Sequence, residues 1–110
     1  MHGKKTQKKA IRQHFREVCF KRDGNKCACC GSTEYLTVHH ISPRNEMPSG
    51  GYVLENGITV CPECHLKAEY FYGSASNKAW LYFEFTPHEL YKLIGSSFDK
   101  ALAASTKMAH

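Results

Sequence analysis

Cys27 and Cys30, then His39 and His40, then Asn56, then Cys61, Cys64 and His65 place metal-binding side chains at short intervals along the chain. A C-x-x-C turn brings two thiolates onto one ion, and two such turns complete the tetrahedral shell that zinc favours. The pairs Cys27-Ala28-Cys29-Cys30 and Cys61-Pro62-Glu63-Cys64 are separated by thirty residues, Gly31 to Val60, longer than in compact zinc ribbons but enough to enclose a hairpin. Cys29 competes for a place in the first pair. Pairing it with Cys27 leaves one residue between ligands, and pairing it with Cys30 leaves none, so Cys27, Cys30, Cys61 and Cys64 are the expected zinc ligands. Cys29 reads as a spare thiol and Cys19 as a small buried hydrophobe. Beside that closed shell, histidines at 39, 40 and 65 are free to form a second site. Imidazole titrates near neutrality and can take a proton from water, so an open site of this kind is an enzyme's arrangement.

The elements that must position these residues can be read in outline. From about residue 6 to 22, Ile11, Phe15, Val18 and Cys19 recur at helical spacing, while Lys5, Lys9, Arg12 and Arg16 form a separate basic stripe. Asp23-Gly24-Asn25 supplies a turn toward Cys27. Tyr35 to His39 predicts a strand; consecutive strand residues point to opposite faces, so His39 and His40 are expected where the strand ends. Ser42 to Tyr52, broken by Pro43, Pro48 and Gly50-Gly51, predicts a flexible surface loop. Gly57 to Val60 predicts a second strand. Pro62 suits the first turn of a helix running through Leu66 and Ala68 to about Tyr72 and ending at Gly73. Ala79 to Phe85 is aromatic and reads as a strand or a segment packed across the core. Thr86-Pro87 with Glu89 predicts the start of a last helix, whose Leu90, Leu93, Ile94 and Phe98 face the domain or a second copy. The tail, Ala101 to His110, is weakly patterned and expected to fray.

With 110 residues the chain is expected to be one domain, with a core at about 12–72 and a C-terminal extension at about 79–104. So short a chain buries limited apolar surface, and a metal staple offsets that deficit. The basic residues after Met1 are followed by no apolar run of signal-peptide length and nothing spans a membrane, so a cytoplasmic protein is expected. In that reducing setting six cysteines suit metal better than disulfides. Net charge is +5, unevenly spread: residues 1–30 carry nine Lys/Arg against two acids, a net +7, and residues 31–110 carry six against eight. Lysine and arginine displace counterions from nucleic acid, so such an N-terminal arm favours a nucleic-acid partner.

Taken together, Arg22-Asp23-Gly24 before Cys27-x-x-Cys30-Gly31, Leu36-Thr37-Val38-His39-His40-Ile41 with Pro43, Asn56-Gly57-Ile58-Thr59-Val60, and Cys61-x-x-Cys64-His65 resemble the HNH endonucleases over roughly residues 12–70. The resemblance implies an α+β fold, a small ββα-metal domain stapled by zinc between a basic N-terminal helix and a C-terminal helix. It also implies that His39 and His65 hold a catalytic divalent ion (magnesium, manganese, nickel or zinc), that His40 is the general base, and that Asn56 ties the inter-strand loop and helps orient His40. Such an ion polarises the scissile phosphate and stabilises the departing 3′ oxygen, leaving 5′-phosphate and 3′-hydroxyl ends. The expected substrate is DNA, double-stranded, nicked or cut through, with Lys5, Lys9, Arg12, Arg16 and Arg44 on its backbone. Free-standing proteins of this size look like phage or mobile-element products, and a homodimer or larger complex fits the last helix. The alternative is a non-cutting, zinc-stabilised DNA-binding module of the same fold.

Overall fold

The computed structural model of the chain describes residues 2–69 and 84–109, with side chains for 8–69 and 84–108. Helix α1 runs His2–Arg22, starting earlier than its apolar stripe predicts. It buries Phe15 and Cys19, while Ile11 lies at the rim. Lys21 and Arg22 in its last turn meet the negative end of the helix dipole. The helix stops because Gly24 (φ 70°) and Asn25 (φ 56°) are both left-handed, and Asn25 N–H donates back to Phe20 O at 2.9 Å.

The residues at that turn fasten the helix to the sheet. Arg22 donates to Leu54 O (2.7 Å) and Gly57 O (2.6 Å) and pairs with Asp23 at 2.8 Å, while Asp23 Oδ2 accepts Thr59 N–H at 2.9 Å. Burial alone raises the Asp23 pKa, but the hydrogen bonds from Arg22 and Thr59 outweigh it and hold the carboxyl below its ordinary range.

The sheet is one antiparallel pair, β1 (Thr37–His40) with β2 (Gly57–Val60), in the register Thr37↔Val60, Val38↔Thr59, His39↔Ile58, His40↔Gly57. Strand β2 matches its expected span. Strand β1 starts two residues late because Tyr35 sits at φ 52°, a left-handed conformation that no strand accommodates. All four β2 residues are buried, between α1 on one side and α2 (Pro62–Glu69) on the other. This β1–β2–α2 unit carries His39, Cys64 and His65, with Cys61 between β2 and α2, while Cys27 and Cys30 lie in the turns before β1. The expected helix end at Tyr72 and Gly73 lies outside the described residues, as do residues 79–83 of the aromatic segment; Phe85 packs half-buried on the core.

Gly57 faces His40 across the ladder, and a Cβ there would lie 2.6 Å from both Cys19 Sγ and Phe15 Cζ. Its φ of −119° is unstrained, so the glycine serves close packing alone. Gly57→Ala is therefore expected to cost about 1–3 kcal/mol, the usual penalty for overpacking a filled core, read as a lower urea midpoint at unchanged slope.

The segment between the strands departs from expectation. It is not a loose surface loop but three short 3-10 turns, Arg44–Glu46, Pro48–Gly51 and Leu54–Asn56, with Ser42, Met47 and Gly51 buried. The C-terminal region also differs. The expected single helix is two, α3 (Pro87–Leu93) and α4 (Phe98–Ala109), divided at Gly95 (φ 68°), where Ser96 N–H bonds Tyr91 O at 2.8 Å. Ser97 Oγ then caps α4 by accepting Lys100 N–H at 3.1 Å. Helix α4 extends through the expected fraying tail because Ala101 and Ser105, both fully buried, let it seat closely on the inter-strand turns, with Ser105 Oγ 3.7 Å from Met47 Sδ. Leu90 enters the core, whereas Leu93 and Phe98 stay exposed.

Candidate metal centres

The sulfur atoms of Cys27, Cys30, Cys61 and Cys64 all lie within 4.8 Å of one another, so the four cysteines read from the two C-x-x-C turns do converge. Tight turns make this possible: Gly31 at φ 82° donates to Cys27 O at 2.8 Å, and Cys27 N–H bonds Ser32 O at 2.7 Å. Burial acts to raise the Cys27 thiol, but backbone N–H groups of Cys61, Cys30 and Cys29 overcome it and bring the pKa to about 6. Cys64 moves the other way, raised by burial and by hydrogen bonds to the other thiols. Such a cluster accepts one negative charge readily and resists more until a cation shares the cavity. Four thiolates in one shell are the donor set of a structural zinc. Cys29 stands outside the shell, its pKa pushed up to about 12 by burial and the neighbouring Cys27.

A second cluster lies on the other side of α2's first turn. His39, His65 and Glu69 offer ligand atoms all within 4.8 Å of one another. Glu69 Oε1 is 2.9 Å from His65 Nε2 and 3.8 Å from His39 Nδ1, and the two rings are 5.2 Å apart. His65 N–H bonds Cys61 O at 2.8 Å, so the four-cysteine centre fixes the backbone that carries this histidine. His39 is buried, which depresses its pKa to about 3, with further depression from the charges of His65 and His40. Its imidazole is therefore neutral near pH 7, with the lone pair a metal needs. The donors line a cleft of about 300 Å³ bordered by Val38, His40, Pro43 and Arg44. Two imidazoles and a carboxylate suit several divalent ions and leave the cleft side of the ion open.

Glu69 escaped the sequence reading, although a signal existed. It stands four residues after His65 on one helix, the spacing that stacks side chains on a shared face. Glu63, between the two cysteines, points to solvent and pairs with Lys67 at 3.6 Å.

His40 is the last residue of β1, so strand alternation still governs it: His39 turns to His65, and His40 turns to α1. Its ring stacks on Phe15 (centroids 4.8 Å, 30°) and meets the edge of Tyr52 (4.7 Å, 89°). Nε2 is buried with no hydrogen-bond partner among the described residues, which leaves Nδ1 as the nitrogen available to the cleft. Burial and then the Arg44 charge lower its pKa to about 4.

Asn56 is fully buried. Its Oδ1 accepts from Ser42 N–H (3.0 Å) and Tyr91 OH (2.7 Å), and its Nδ2 donates to Ser42 O (3.1 Å) and Gly51 O (3.2 Å). Its own carbonyl accepts Ile41 N–H at 2.9 Å. Among the described residues Asn56 makes no hydrogen bond to His40; it pins Ile41 and Ser42, the residues that follow it. Tyr91, 49 residues beyond Ser42 and 2.7 Å from its Oγ, completes this network and carried no local sequence signal.

The basic residues divide. Arg12 and Arg44 converge on Tyr52, while Lys9 and Arg16 line a groove along α1 with Phe20, Arg16 sitting 5.6 Å from that ring. The Lys5 side chain lies outside the described residues.

Residues 27–71 match the family model of the HNH endonucleases. No curated protein and no solved structure matches the chain. The matched segment spans both cysteine pairs, both strands and the His39, His65 and Glu69 cluster, so β1–β2–α2 is the part of this fold that is similar to the HNH endonucleases.

Proposed function

We propose that this chain is an HNH endonuclease, a metal-dependent enzyme that hydrolyses phosphodiester bonds of DNA. The observation that carries the reading is the convergence of His39, His65 and Glu69 in an open cleft whose wall also presents His40 and Arg44. The four cysteines hold a structural zinc that stabilises the fold, and the three-donor cluster holds the catalytic divalent ion, with magnesium, manganese, nickel and zinc all compatible. When bound, that ion supplies charge stabilisation for the phosphate and for the departing 3′ oxygen. The remaining work belongs to the chain. His40, neutral and clamped between Phe15 and Tyr52, removes the proton from the attacking water. Asn56 holds the strand exit so that His40 and His39 keep their relative placement, and the basic residues of α1 with Arg44 hold the DNA backbone. A non-cutting DNA-binding module would have no use for three donors directed into an open cleft beside a clamped neutral histidine.

Among the described residues no helix is long and apolar enough to cross a membrane. The partner under this reading is DNA, in keeping with a basic N-terminal third.

Glu69→Gln tests the ion's place. Removing a charged ligand is expected to raise the metal concentration for half-maximal cleavage by at least the ~10–100-fold that outer-shell partners cost. An unchanged metal requirement removes Glu69 from the site, and absence of cleavage by the unmodified protein in every metal removes the nuclease reading.

A further inference from the structure

A second cleft, of about 660 Å³, lies between α1 and the inter-strand turns. Lys8, Arg12 and Arg44 line it, and among the described residues no acidic side chain does. At its base the Tyr52 hydroxyl accepts a hydrogen bond from Arg44 Nη1 at 2.9 Å, and Arg12 lines the same cleft, its positive charge helping, against burial, to lower the phenol pKa. Two guanidiniums beside one phenol are like charges brought together, and that arrangement favours an anion between them. The same Tyr52 ring forms one wall of the His40 clamp, with its edge on the imidazole.

The backbone beneath this cleft turns sharply ahead of Tyr52. Ser49 (φ 53°), Gly50 (φ 80°) and Gly51 (φ 68°) are left-handed in succession, and a Cβ on Gly50 would come 2.9 Å from Tyr52 Cε2. The glycines adopt this conformation freely, and Ser49 alone carries the strain of a left-handed residue, which gathers at ligand clamps. Arg44 is shared: it lines this cleft and also the cleft of His39, His65 and Glu69. A polyanion lying in one cleft is thereby led into the other.

We propose that the second cleft is a phosphate subsite, in which Arg12 and Arg44, ordered by Tyr52, take the DNA backbone phosphate next to the one in the metal cleft. This rests on reading the His39, His65 and Glu69 cleft as the site of phosphodiester cleavage. It goes beyond a generally basic helix, because it selects Arg12, Arg44 and Lys8 from the cations, whereas Lys9 and Arg16 line the groove along α1, which Lys8 and Arg12 also border, but not this cleft. It also makes Tyr52 a positioning residue that joins backbone binding to the orientation of His40. Guanidiniums are suited to this place because their fork can keep one N–H on the phenol and turn others to a phosphate.

The test measures binding of a fluorescent duplex oligonucleotide by zinc-loaded protein, without a catalytic ion, across salt concentrations. The Arg12→Ala, Arg44→Ala double variant is expected to bind at least tenfold more weakly at low salt, with its log–log salt slope smaller by about 2, one for each lost phosphate contact. Tyr52→Phe, which keeps the ring against His40 and removes the acceptor, is expected to raise KM for DNA more than it lowers kcat. A second arm compares DNA with bis(p-nitrophenyl) phosphate, too small to fill both clefts; the double variant should lower the ratio of DNA to small-diester activity at least tenfold. A salt slope and activity ratio equal to those of the unmodified protein overturn the subsite. Failure of the unmodified protein to cleave either substrate overturns the nuclease reading instead, and the binding slopes still report on the subsite.

Discussion

Replacing His40 with alanine is expected to lower the rate of DNA cleavage by about 10²- to 10⁴-fold, the contribution of a positioned general base. That corresponds to roughly 3–5 kcal/mol of barrier, at ~1.4 kcal/mol per tenfold. Occupancy of the metal cleft should persist, because the donors His39, His65 and Glu69 form a group of their own that does not include His40. The variant removes a ring packed between Phe15 and Tyr52, so folding must be checked by circular dichroism; His40→Gln, which fills more of the space, should be similarly inactive. The pH profile carries a second expectation. An unperturbed histidine is half protonated at about pH 6.5. Burial and Arg44 push His40 down to about 4, so the proton-accepting form persists below pH 6.5 and the acid limb of kcat should lie under that value. His40→Ala cleaving within about threefold of the unmodified protein would remove the general-base role, being far short of what such a base supplies.

Stripping the four-cysteine metal is expected to unfold the domain. Structural zinc contributes about 10–16 kcal/mol in small domains, while net stabilities of whole proteins are about 5–15 kcal/mol, so its loss is of the same size as everything that remains. Among the described residues the large apolar side chains that are fully buried and would have to compensate are few: Ile41, Ile58, Leu90 and Val60. Cys61→Ser should lose zinc and far-ultraviolet helical signal together. Cys29→Ser, outside the four-sulfur shell, should retain one zinc per chain and its fold. A chelated protein with an undiminished helical spectrum and a cooperative thermal transition would show that packing alone sustains the fold. The loss should reach the cleft of His39, His65 and Glu69 as well, because Cys61 O holds the backbone of His65.

What could be read from the residues follows from how local each signal is. The four cysteines and β2 were legible because C-x-x-C spacing and a short β-branched run carry their meaning within a few positions. Glu69 was passed over although it stands on the same helix as His65, since an acidic residue in a helix is ordinary until its phase against a ligand is known. Tyr91 had no local mark at all; its role appears only when α3 brings it to Asn56 across 35 residues. Helix α4 reads in sequence as a fraying tail because its buried face is Ala101 and Ser105, small residues that pack closely without an apolar rhythm. The inter-strand segment reads as a loose loop for a related reason. Glycines and prolines report the absence of a regular period, not the absence of packing, and here they serve the turns that bury Met47 and present Tyr52.

The decisive measurement is conversion of supercoiled plasmid by zinc-loaded protein in magnesium, manganese, nickel or added zinc, with chelator-treated and His40→Ala samples alongside. The expected result is nicked or linear DNA in at least one metal, with 5′-phosphate and 3′-hydroxyl ends, and intact plasmid in both controls. Plasmid that stays supercoiled in every metal, while the protein is folded and bound to it, contradicts the assignment of His39, His65 and Glu69 to a nuclease centre.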